Sequence, residues 1–335
     1  MPGLKAFVSW VESAGALAPW CFLGLFIAAS FLLIWRLEAM TRSGVEGTVL
    51  GTLVMPYCSG MGNLIFAFVL GAKGAPGEEV LTNSLVNNVT NMTLLLGLPA
   101  ALWGMSVLPK AKPNKKKKGN DQEHQLNRLS TLLTLTAVLF FTGAVWALAH
   151  KGRLEFGDGL VLVGLFLFWQ CFHVFEVLKS NVRQNRSFGW RLPIDLALLG
   201  IGAYATYVST DWLVDWVSRI HTGFISAEHL GWLSGWLMVL PNGLLAFYYA
   251  WRGNPEVVYT SQVGDGHICI PLCLGIAALY HPIRLPPFFQ MGIYILLSAA
   301  LVHMFFVAVL GRLPRFVGWV LTASYGIFLY SGLGK

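Results

Sequence analysis

Two asparagines, Asn63 and Asn242, stand at matching places in two similar apolar stretches of this sequence, residues 59–98 and 238–276. Their side-chain amide oxygens are groups that proteins use to ligate cations. With a one-residue gap, the alignment also matches polar and turn-forming residues: Gly74 with Gly253, Pro76 with Pro255, Glu78 with Glu256, and Gly97 with Gly275. A chance match between two apolar segments does not explain this agreement. Copies about half a chain apart are typical of secondary transporters.

Further polar residues lie in the second half of each stretch. The first copy has Asn87, Asn88 and Asn91 there, and the second copy has Asp265. A carboxylate inside a membrane span is costly and usually marks an ion or proton path. A single Asn in a span often only bonds a neighbouring helix and contributes about 1 kcal/mol. The matched asparagines, with three more on the adjoining segment, instead favour a polar central site.

The composition places these stretches in a lipid bilayer. The chain has 335 residues, of which 56% are hydrophobic and 12% are charged, with a mean hydropathy of +0.62. This is too little polar surface to coat a soluble globule of that size. The net charge of +7 comes from Lys and Arg between the apolar segments, a pattern of cytoplasmic loops, and it does not indicate nucleic-acid binding. The five cysteines lie in apolar runs and indicate no disulfide framework.

The apolar segments predict an all-α polytopic membrane protein with about ten transmembrane helices. The predicted spans are about 19–37, 45–70, 83–108, 130–148, 159–178, 192–208, 230–251, 257–280, 287–310 and 317–333. Residues 110–128, which contain four consecutive lysines, predict a flexible basic loop. Residues 211–229 predict a polar connection along the membrane interface.

Basic connections predict the orientation of the spans. Residues 110–128, 179–191 and 312–315 follow spans three, five and nine, so all three lie on one side, which the positive-inside rule makes cytoplasmic. Both termini are then outside the cell membrane. Five spans precede the midpoint, so the second copy enters from the opposite side. The sequence therefore predicts two inverted repeats, residues 1–180 and 181–335.

The two stretches resemble the alpha-repeats of the calcium/cation antiporter superfamily, which includes the sodium/calcium exchangers. The family's repeat reads G-T-S-x-P-E on one helix and G-N-x-x-G-S-N-I-F-N on the next. In the first copy, the first half-motif appears as Cys-Ser-Gly-Met-Gly-Asn, ending at Asn63. The second copy matches it less well, with Leu-Met-Val-Leu-Pro-Asn ending at Asn242. The second half-motif corresponds to residues 82–91 and 260–269. Both asparagines thus take the place of the family's Glu.

This resemblance implies alpha-repeats within residues 45–108 and 230–280, with a cation site between spans two, three, seven and eight. Matched position by position, the ion-binding residues are Ser59, Asn63, Asn87, Asn91, Asn242, Asp265 and Cys269. Of these, only Asp265 carries a charge, whereas Ca²⁺ takes six to eight oxygen ligands including carboxylates. Four amides and one carboxylate suit a monovalent cation better. We therefore expect Na⁺ or a proton, with Asp265, Asn63 and Asn242 as cation ligands, and leave exchange of Ca²⁺ or another cation open.

The function implied by the resemblance is secondary active cation antiport, coupled to Na⁺ or H⁺. The predicted partners are the lipid bilayer and small cations, with no nucleic acid and no cofactor. No nucleotide-binding loop or nucleophile triad occurs in the sequence, so an enzyme is not predicted. The alternative is an exchanger-fold chain that has lost transport and serves as a subunit of a larger membrane complex. A metal site at His267, Cys269 and Cys273 is less favoured, because no second ligand group has zinc-like spacing.

Overall fold

A computed structural model describes most of the chain. The described residues are 8–42, 57, 60–106, 117–181, 192–252, 255–264 and 266–334. Two predicted site residues, Ser59 and Asp265, lie outside them. Within the described ranges, nine helices are long and apolar enough to cross a membrane, which confirms the all-α polytopic class. A shorter apolar helix, Met61–Ala72, lies where the second span was predicted, and the start of that span falls outside the described ranges.

The elements follow one another as helices interrupted by very short strands. The first half contains α1 (Ala18–Arg42), α2 (Met61–Ala72), α3 (Glu78–Val89), a π-helical segment (Thr90–Leu95), α4 (Leu96–Trp103), β1 (Met105–Ser106), α5 (Lys117–Leu148), β2 (Arg153–Leu154) and α6 (Phe156–Asn181). The second half contains α7 (Leu192–Ser218), α8 (Leu230–Trp251), α9 (Pro255–Gly264), α10 (Gly266–Ile268), a second π-helical segment (Cys269–Cys273), α11 (Leu274–Tyr280), β3 (Ile283–Arg284), α12 (Phe289–Leu310), β4 (Arg312–Leu313) and α13 (Arg315–Leu333).

Two predicted connections are helical in part, and for residues 117–128 the expectation of a flexible loop was wrong. Helix α5 begins at Lys117, inside the predicted basic loop, because Lys, Gln and Glu residues form helices well and the helix continues into the fourth span. Helix α7 runs on to Ser218 and so covers the first part of the predicted interfacial connection, residues 211–229. Trp212 explains this extension: it stacks on Phe22 with ring centroids 4.3 Å apart, which ties the last turns of α7 to α1.

The four strands form two small sheets that reveal a two-fold relation between the halves. Strand β1 pairs antiparallel with β4 and places Met105 opposite Leu313. Strand β2 pairs antiparallel with β3 and places Leu154 opposite Ile283. Met105 and Ile283 are equivalent at the offset of the aligned stretches, and Leu154 and Leu313 each end a Gly-Arg-Leu tripeptide. Interchanging the halves therefore maps one strand pair onto the other in the same register, as a two-fold axis requires.

The tripeptides start with the same backbone conformation. Gly152 and Gly311 both have positive φ, at 79° and 61°, a conformation that glycine adopts without steric cost. Each glycine ends a helix, so both turns follow the same local rule. Helices α5 and α6 are thus equivalent to α12 and α13, a relation that extends the repeat beyond the aligned stretches.

The chain divides into two compact units. The first comprises Met1–Val69 and Trp169–Leu230, and the second comprises Leu70–Phe168 and Gly231–Lys335. The predicted repeat boundaries, residues 1–180 and 181–335, follow sequence symmetry and remain a prediction. Each unit combines segments from both predicted repeats.

The first unit is built on an antiparallel pair of helices, α1 and α7. Near the end of α1, Arg36 forms an ion pair with Asp195 at 3.1 Å, near the start of α7. At the other end of the pair, the indole Nε1 of Trp212 donates to Glu12 at 2.9 Å. These contacts hold the two helices together at both ends.

Candidate cation site

The second unit contains two π-helical segments at equivalent places in the repeats. The first is Thr90–Leu95 and the second is Cys269–Cys273, and the alignment places Leu95 opposite Cys273. Proline contributes to the second segment, because Pro271 lacks the N–H that an α-helical bond would need. A π-helical turn displaces backbone groups from the regular bonding pattern and is frequent at functional sites.

Helix α3 carries a cluster of buried polar side chains in this unit. Every residue from Val80 to Val89 is buried, including Asn83, Asn87 and Asn88. A membrane helix that is buried on all sides lies inside the protein, so these amides face other helices and not lipid. Buried amides need hydrogen-bond partners, and most of those here bond protein atoms.

Three of the predicted site residues lie together. The Nδ2 of Asn87 donates to the Sγ of Cys269 at 3.4 Å, across from the second π segment. The Nδ2 of Asn91 donates to the Oδ1 of Asn87 at 3.0 Å. All three residues are at most 1% exposed. The structure therefore joins Asn87, Asn91 and Cys269 in one hydrogen-bonded chain, which we call the amide–thiol network.

Ser84, which was not predicted, extends the amide–thiol network. Its hydroxyl donates to the backbone oxygen of Cys269 at 3.2 Å, and its own backbone oxygen accepts from the Nδ2 of Asn88 at 2.7 Å. The π segment of the second copy is thus bonded to α3 of the first copy through both backbone and side chain. Ser84 lies one turn before Asn88, and this spacing is the sequence signal that could have identified it.

The matched asparagines of the first half-motif lie in different units. Asn63, on α2, belongs to the first unit and is 4% exposed, and its Oδ1 accepts no hydrogen bond from the described residues. Asn242, on α8, belongs to the second unit and is half-buried. It directly follows Pro241, a helix-interior proline that leaves a backbone carbonyl of the preceding turn unbonded. Their common role as ligands remains a prediction, as does that of Ser59 and Asp265.

Helix α8 contacts α3 at its start through two polar bonds that sequence reasoning missed. The Oε2 of Glu79 accepts a hydrogen bond from the backbone N–H of Gly231 at 2.6 Å. One turn further along, the Nδ2 of Asn83 donates to the Oγ of Ser234 at 3.0 Å. The carboxylate of Glu79 supplies an acceptor for one of the unbonded N–H groups at the start of α8. Its position four residues before Asn83 is the sequence signal for this face of α3.

The first π segment is held by residues that the sequence did not single out. The hydroxyl of Tyr325 accepts from the Nε1 of Trp236 at 2.8 Å and from the Oγ1 of Thr90 at 3.3 Å. The Nε2 of His303 bonds the backbone oxygen of Met92 at 2.8 Å. His303 is fully buried, and Tyr325 is 8% exposed.

The charge of the candidate site comes from few residues. From Val80 to Leu108 the sequence has no acidic residue, so the first copy contributes neutral amides and hydroxyls. Within the described ranges, no three His, Cys, Asp or Glu side chains lie close enough together to hold a metal ion. The described part of the site can therefore offer a cation dipoles from amides, hydroxyls and backbone carbonyls.

The inverted pairs of strands, the paired π segments and the buried amides define a membrane protein with the architecture of inverted-repeat transporters. The model of the sodium/calcium exchanger protein family matches residues 15–175 and 194–333. Since this match covers most of the chain, the protein belongs to the sodium/calcium exchanger family, and the predicted membership of the calcium/cation antiporter superfamily is confirmed. No curated protein sequence matches the chain.

Solved structures of the sodium–calcium exchanger NCX_Mj share the fold. The structure soaked with 2.5 mM Na⁺ and 10 mM Sr²⁺ is 20% identical, with a TM-score of 0.64, and the match covers 92% of this chain and 96% of that one. The structure soaked with 100 mM Na⁺ and 10 mM Sr²⁺ is also 20% identical, with a TM-score of 0.63, and 99% of both chains is covered. The structure with zero Na⁺ and Ca²⁺ is 18% identical, with a TM-score of 0.60 and 98% coverage of both chains.

Proposed function

We propose that this protein is a secondary active cation antiporter that binds a monovalent cation, Na⁺ or H⁺, on one limb of its cycle. Membership of the sodium/calcium exchanger family supports antiport. The observation that carries the proposal is the amide–thiol network of Asn87, Asn91 and Cys269, which gathers buried polar groups from both repeats at the π segments. Buried polar groups at membrane depth are costly, and in transporters they lie at the substrate site.

The charge balance favours a monovalent ion. Asp265 is equivalent to Asn87 in the alignment, and it is the one charged residue among the matched ion-binding positions. A Na⁺ ion or a proton at one carboxylate is electrically balanced, whereas a divalent ion keeps an uncompensated charge in a low-dielectric region. The resemblance to the antiporter repeats implies Asp265, Asn63 and Asn242 as the cation ligands, with Ser59, Asn87, Asn91 and Cys269 as further ion-binding residues. In this proposal, Ca²⁺ or another cation is the ion that is carried on the other limb of the transport cycle.

Antiport also needs the site to open to each side in turn. In inverted-repeat transporters, alternating access comes from one helix group sliding or rocking against another. In this proposal, the core built from spans two, three, seven and eight holds the cation.

A second candidate function is that of a transport-inactive subunit in a larger membrane complex. The specific observation in its favour is that the amides of the network bond protein atoms: Asn91 donates to Asn87, and Asn87 donates to Cys269. The second copy has also lost the Thr and Ser that precede the family's Glu, since Met238 and Val239 stand at their places before Asn242. A chain that keeps the exchanger fold but has lost residues of the ion site would show both features.

Ion flux into proteoliposomes tests the two functions. Purified protein is reconstituted, and Na⁺, K⁺, Ca²⁺ and H⁺ fluxes are followed under imposed gradients for the wild type, Asp265→Asn and Glu155→Gln. The control removes a carboxylate that pairs with Arg153 on an exposed turn, so it should keep wild-type flux. Coupled flux that Asp265→Asn abolishes supports the antiporter and identifies its ions. Absence of every flux from folded, correctly inserted protein would overturn it and favour the inactive subunit.

A further inference from the structure

The first π segment is fixed on both sides of Asn91. On one side, the hydroxyl of Thr90 donates to the hydroxyl of Tyr325 at 3.3 Å. On the other side, the backbone oxygen of Met92 bonds the Nε2 of His303 at 2.8 Å. Thr90 and Met92 are 3% and 2% exposed, so water does not compete for these bonds. Asn91, which lies between them, donates to Asn87 at 3.0 Å within the amide–thiol network.

The bond to Met92 determines the tautomer of His303. A carbonyl oxygen accepts hydrogen bonds only, so the Nε2 of His303 carries the hydrogen. The same ring packs edge to face with Tyr259, with centroids 5.3 Å apart, and it is fully buried. Among the described residues, its Nδ1 has no hydrogen-bond partner. The ring is therefore oriented by two contacts, of which one is a directed bond to the backbone of the π segment.

The repeat shows that a π segment can form without these bonds. The second segment, Cys269–Cys273, has the same helix type at the equivalent place. The residues of the second copy equivalent to Thr90, Tyr325 and His303 are apolar: Ile268, Phe166 and Ala144. In the second segment Pro271, which lacks a backbone N–H, interrupts the α-helical bonding instead. The polar contacts are thus specific to the first copy, and Asn91 is the polar residue that they flank.

We propose that His303 and Tyr325 are positioning residues, which hold the backbone on either side of Asn91 and so set the affinity of the amide–thiol network for its cation. This inference rests on the proposed antiport function. The two side chains come from α12 and α13 and act on the cation only through the first π segment. Loss of either bond lets the backbone at Asn91 adopt other orientations, so that part of the binding free energy is lost in reordering it.

Four variants distinguish a positioning role of His303 and Tyr325 from a role in packing alone. His303→Gln keeps an N–H donor within reach of the Met92 oxygen, while His303→Phe keeps the ring against Tyr259 and removes the donor. Tyr325→Phe removes the hydroxyl that Thr90 and Trp236 bond. Tyr330→Phe is the matched control, because it removes a hydroxyl from the same helix at a side chain that is 78% exposed.

Each variant is reconstituted, and the cation concentration at half-maximal flux is measured separately from the maximal rate. The loss of one buried hydrogen bond is expected to raise this concentration about three- to tenfold in His303→Phe and Tyr325→Phe. His303→Gln and Tyr330→Phe should stay within about twofold of the wild type. Wild-type half-saturation in His303→Phe, or an increase in His303→Gln equal to that in His303→Phe, would overturn the proposal.

Hydrogen exchange on the same purified variants provides a readout that does not need transport. His303→Phe should speed backbone amide exchange in residues 90–95 and leave residues 269–273 at the wild-type rate. Unchanged exchange in residues 90–95 would overturn the positioning role. A wild type with no flux but with this exchange pattern would overturn the antiport proposal alone, so the two failures are distinguishable.

Discussion

Gly97 and Gly318 face each other where α4 crosses α13, and a Cβ built on Gly97 would lie 2.9 Å from the backbone oxygen of Gly318. The repeat contains the same crossing a second time. A Cβ on Gly159 would lie 2.8 Å from the backbone oxygen of Gly275. Gly97 is equivalent to Gly275, and Gly318 to Gly159, so each half supplies one glycine to each crossing. Small residues let membrane helices approach this closely.

Substitution at this crossing should separate the helices. We expect Gly97→Ala and Gly159→Ala each to destabilise the protein by about 1–3 kcal/mol, because the added methyl group meets backbone that cannot move aside. The measurement is the midpoint of thermal unfolding in detergent. Gly143→Ala and Gly164→Ala are matched controls within spans, where an added Cβ meets nothing within 4 Å. Equal midpoints for all four variants would contradict the close crossing.

The ion pair between Arg36 and Asp195 should be energetically coupled. Removal of Arg36 alone should lower the stability of the fold more than removal of both charges. Their side chains are 13% and 11% exposed, so Arg36→Met leaves a nearly buried carboxylate without its partner, at a cost of about 3 kcal/mol. The double variant Arg36→Met with Asp195→Leu should recover most of that loss. Unfolding midpoints test this, with Glu155→Gln as the exposed control, expected below about 1 kcal/mol. Additive losses in the double variant would refute the coupling.

The hydrogen bond that the N–H of Gly231 donates should need an acceptor oxygen at residue 79 more than it needs a negative charge there. Glu79→Gln retains an amide oxygen that can accept from the N–H of Gly231, whereas Glu79→Leu leaves that N–H unbonded. We expect a loss of about 1–3 kcal/mol for Glu79→Leu and roughly half of it for Glu79→Gln. Both variants are compared by unfolding midpoint and by hydrogen exchange at the start of α8. Identical exchange there in Glu79→Leu and wild type would show that the bond is not made.

The strand pairs make a prediction about sidedness. Ser106 and Arg284 are equivalent exposed strand residues, and the described chain between them contains five candidate spans, so we expect them to lie on opposite faces of the membrane. We expect Arg284→Cys in intact cells to react with a membrane-impermeant maleimide, and Ser106→Cys to react only after permeabilisation. Wild-type protein gives the background from its own cysteines. Labelling of both variants from the same side would contradict the inverted topology, and the reverse assignment would contradict the cytoplasmic basic loops.

Much of the candidate site could be predicted because the repeat preserved its register. Asn87, Asn91 and Cys269 were named by matching both copies to the repeat motif of the antiporter superfamily, and the structure brings these three together. Their polarity inside apolar runs made them visible. The π segments could not be predicted in this way, because a shift from one backbone bonding pattern to another leaves the side-chain spacing almost unchanged.

The positioning residues escaped prediction for a different reason. His303 and Tyr325 lie on α12 and α13, outside the aligned stretches, and their equivalents Ala144 and Phe166 share no polarity with them. The repeated tripeptides at Gly152 and Gly311 are the signal that would have aligned these helices. The length of α7 was missed because polar residues near Trp212 resemble a connection, although packing on Phe22 keeps them helical.

The strand pairs also constrain how the protein is made. Strand β1 leaves the ribosome long before β4, and β2 long before β3, so each early strand waits with unbonded backbone groups until most of the chain has been synthesised. Neither half can complete its own turns, because the partner of each early strand is encoded in the other half. Either half alone would therefore hold two strands without their partners, and the two small sheets form only when both halves are present.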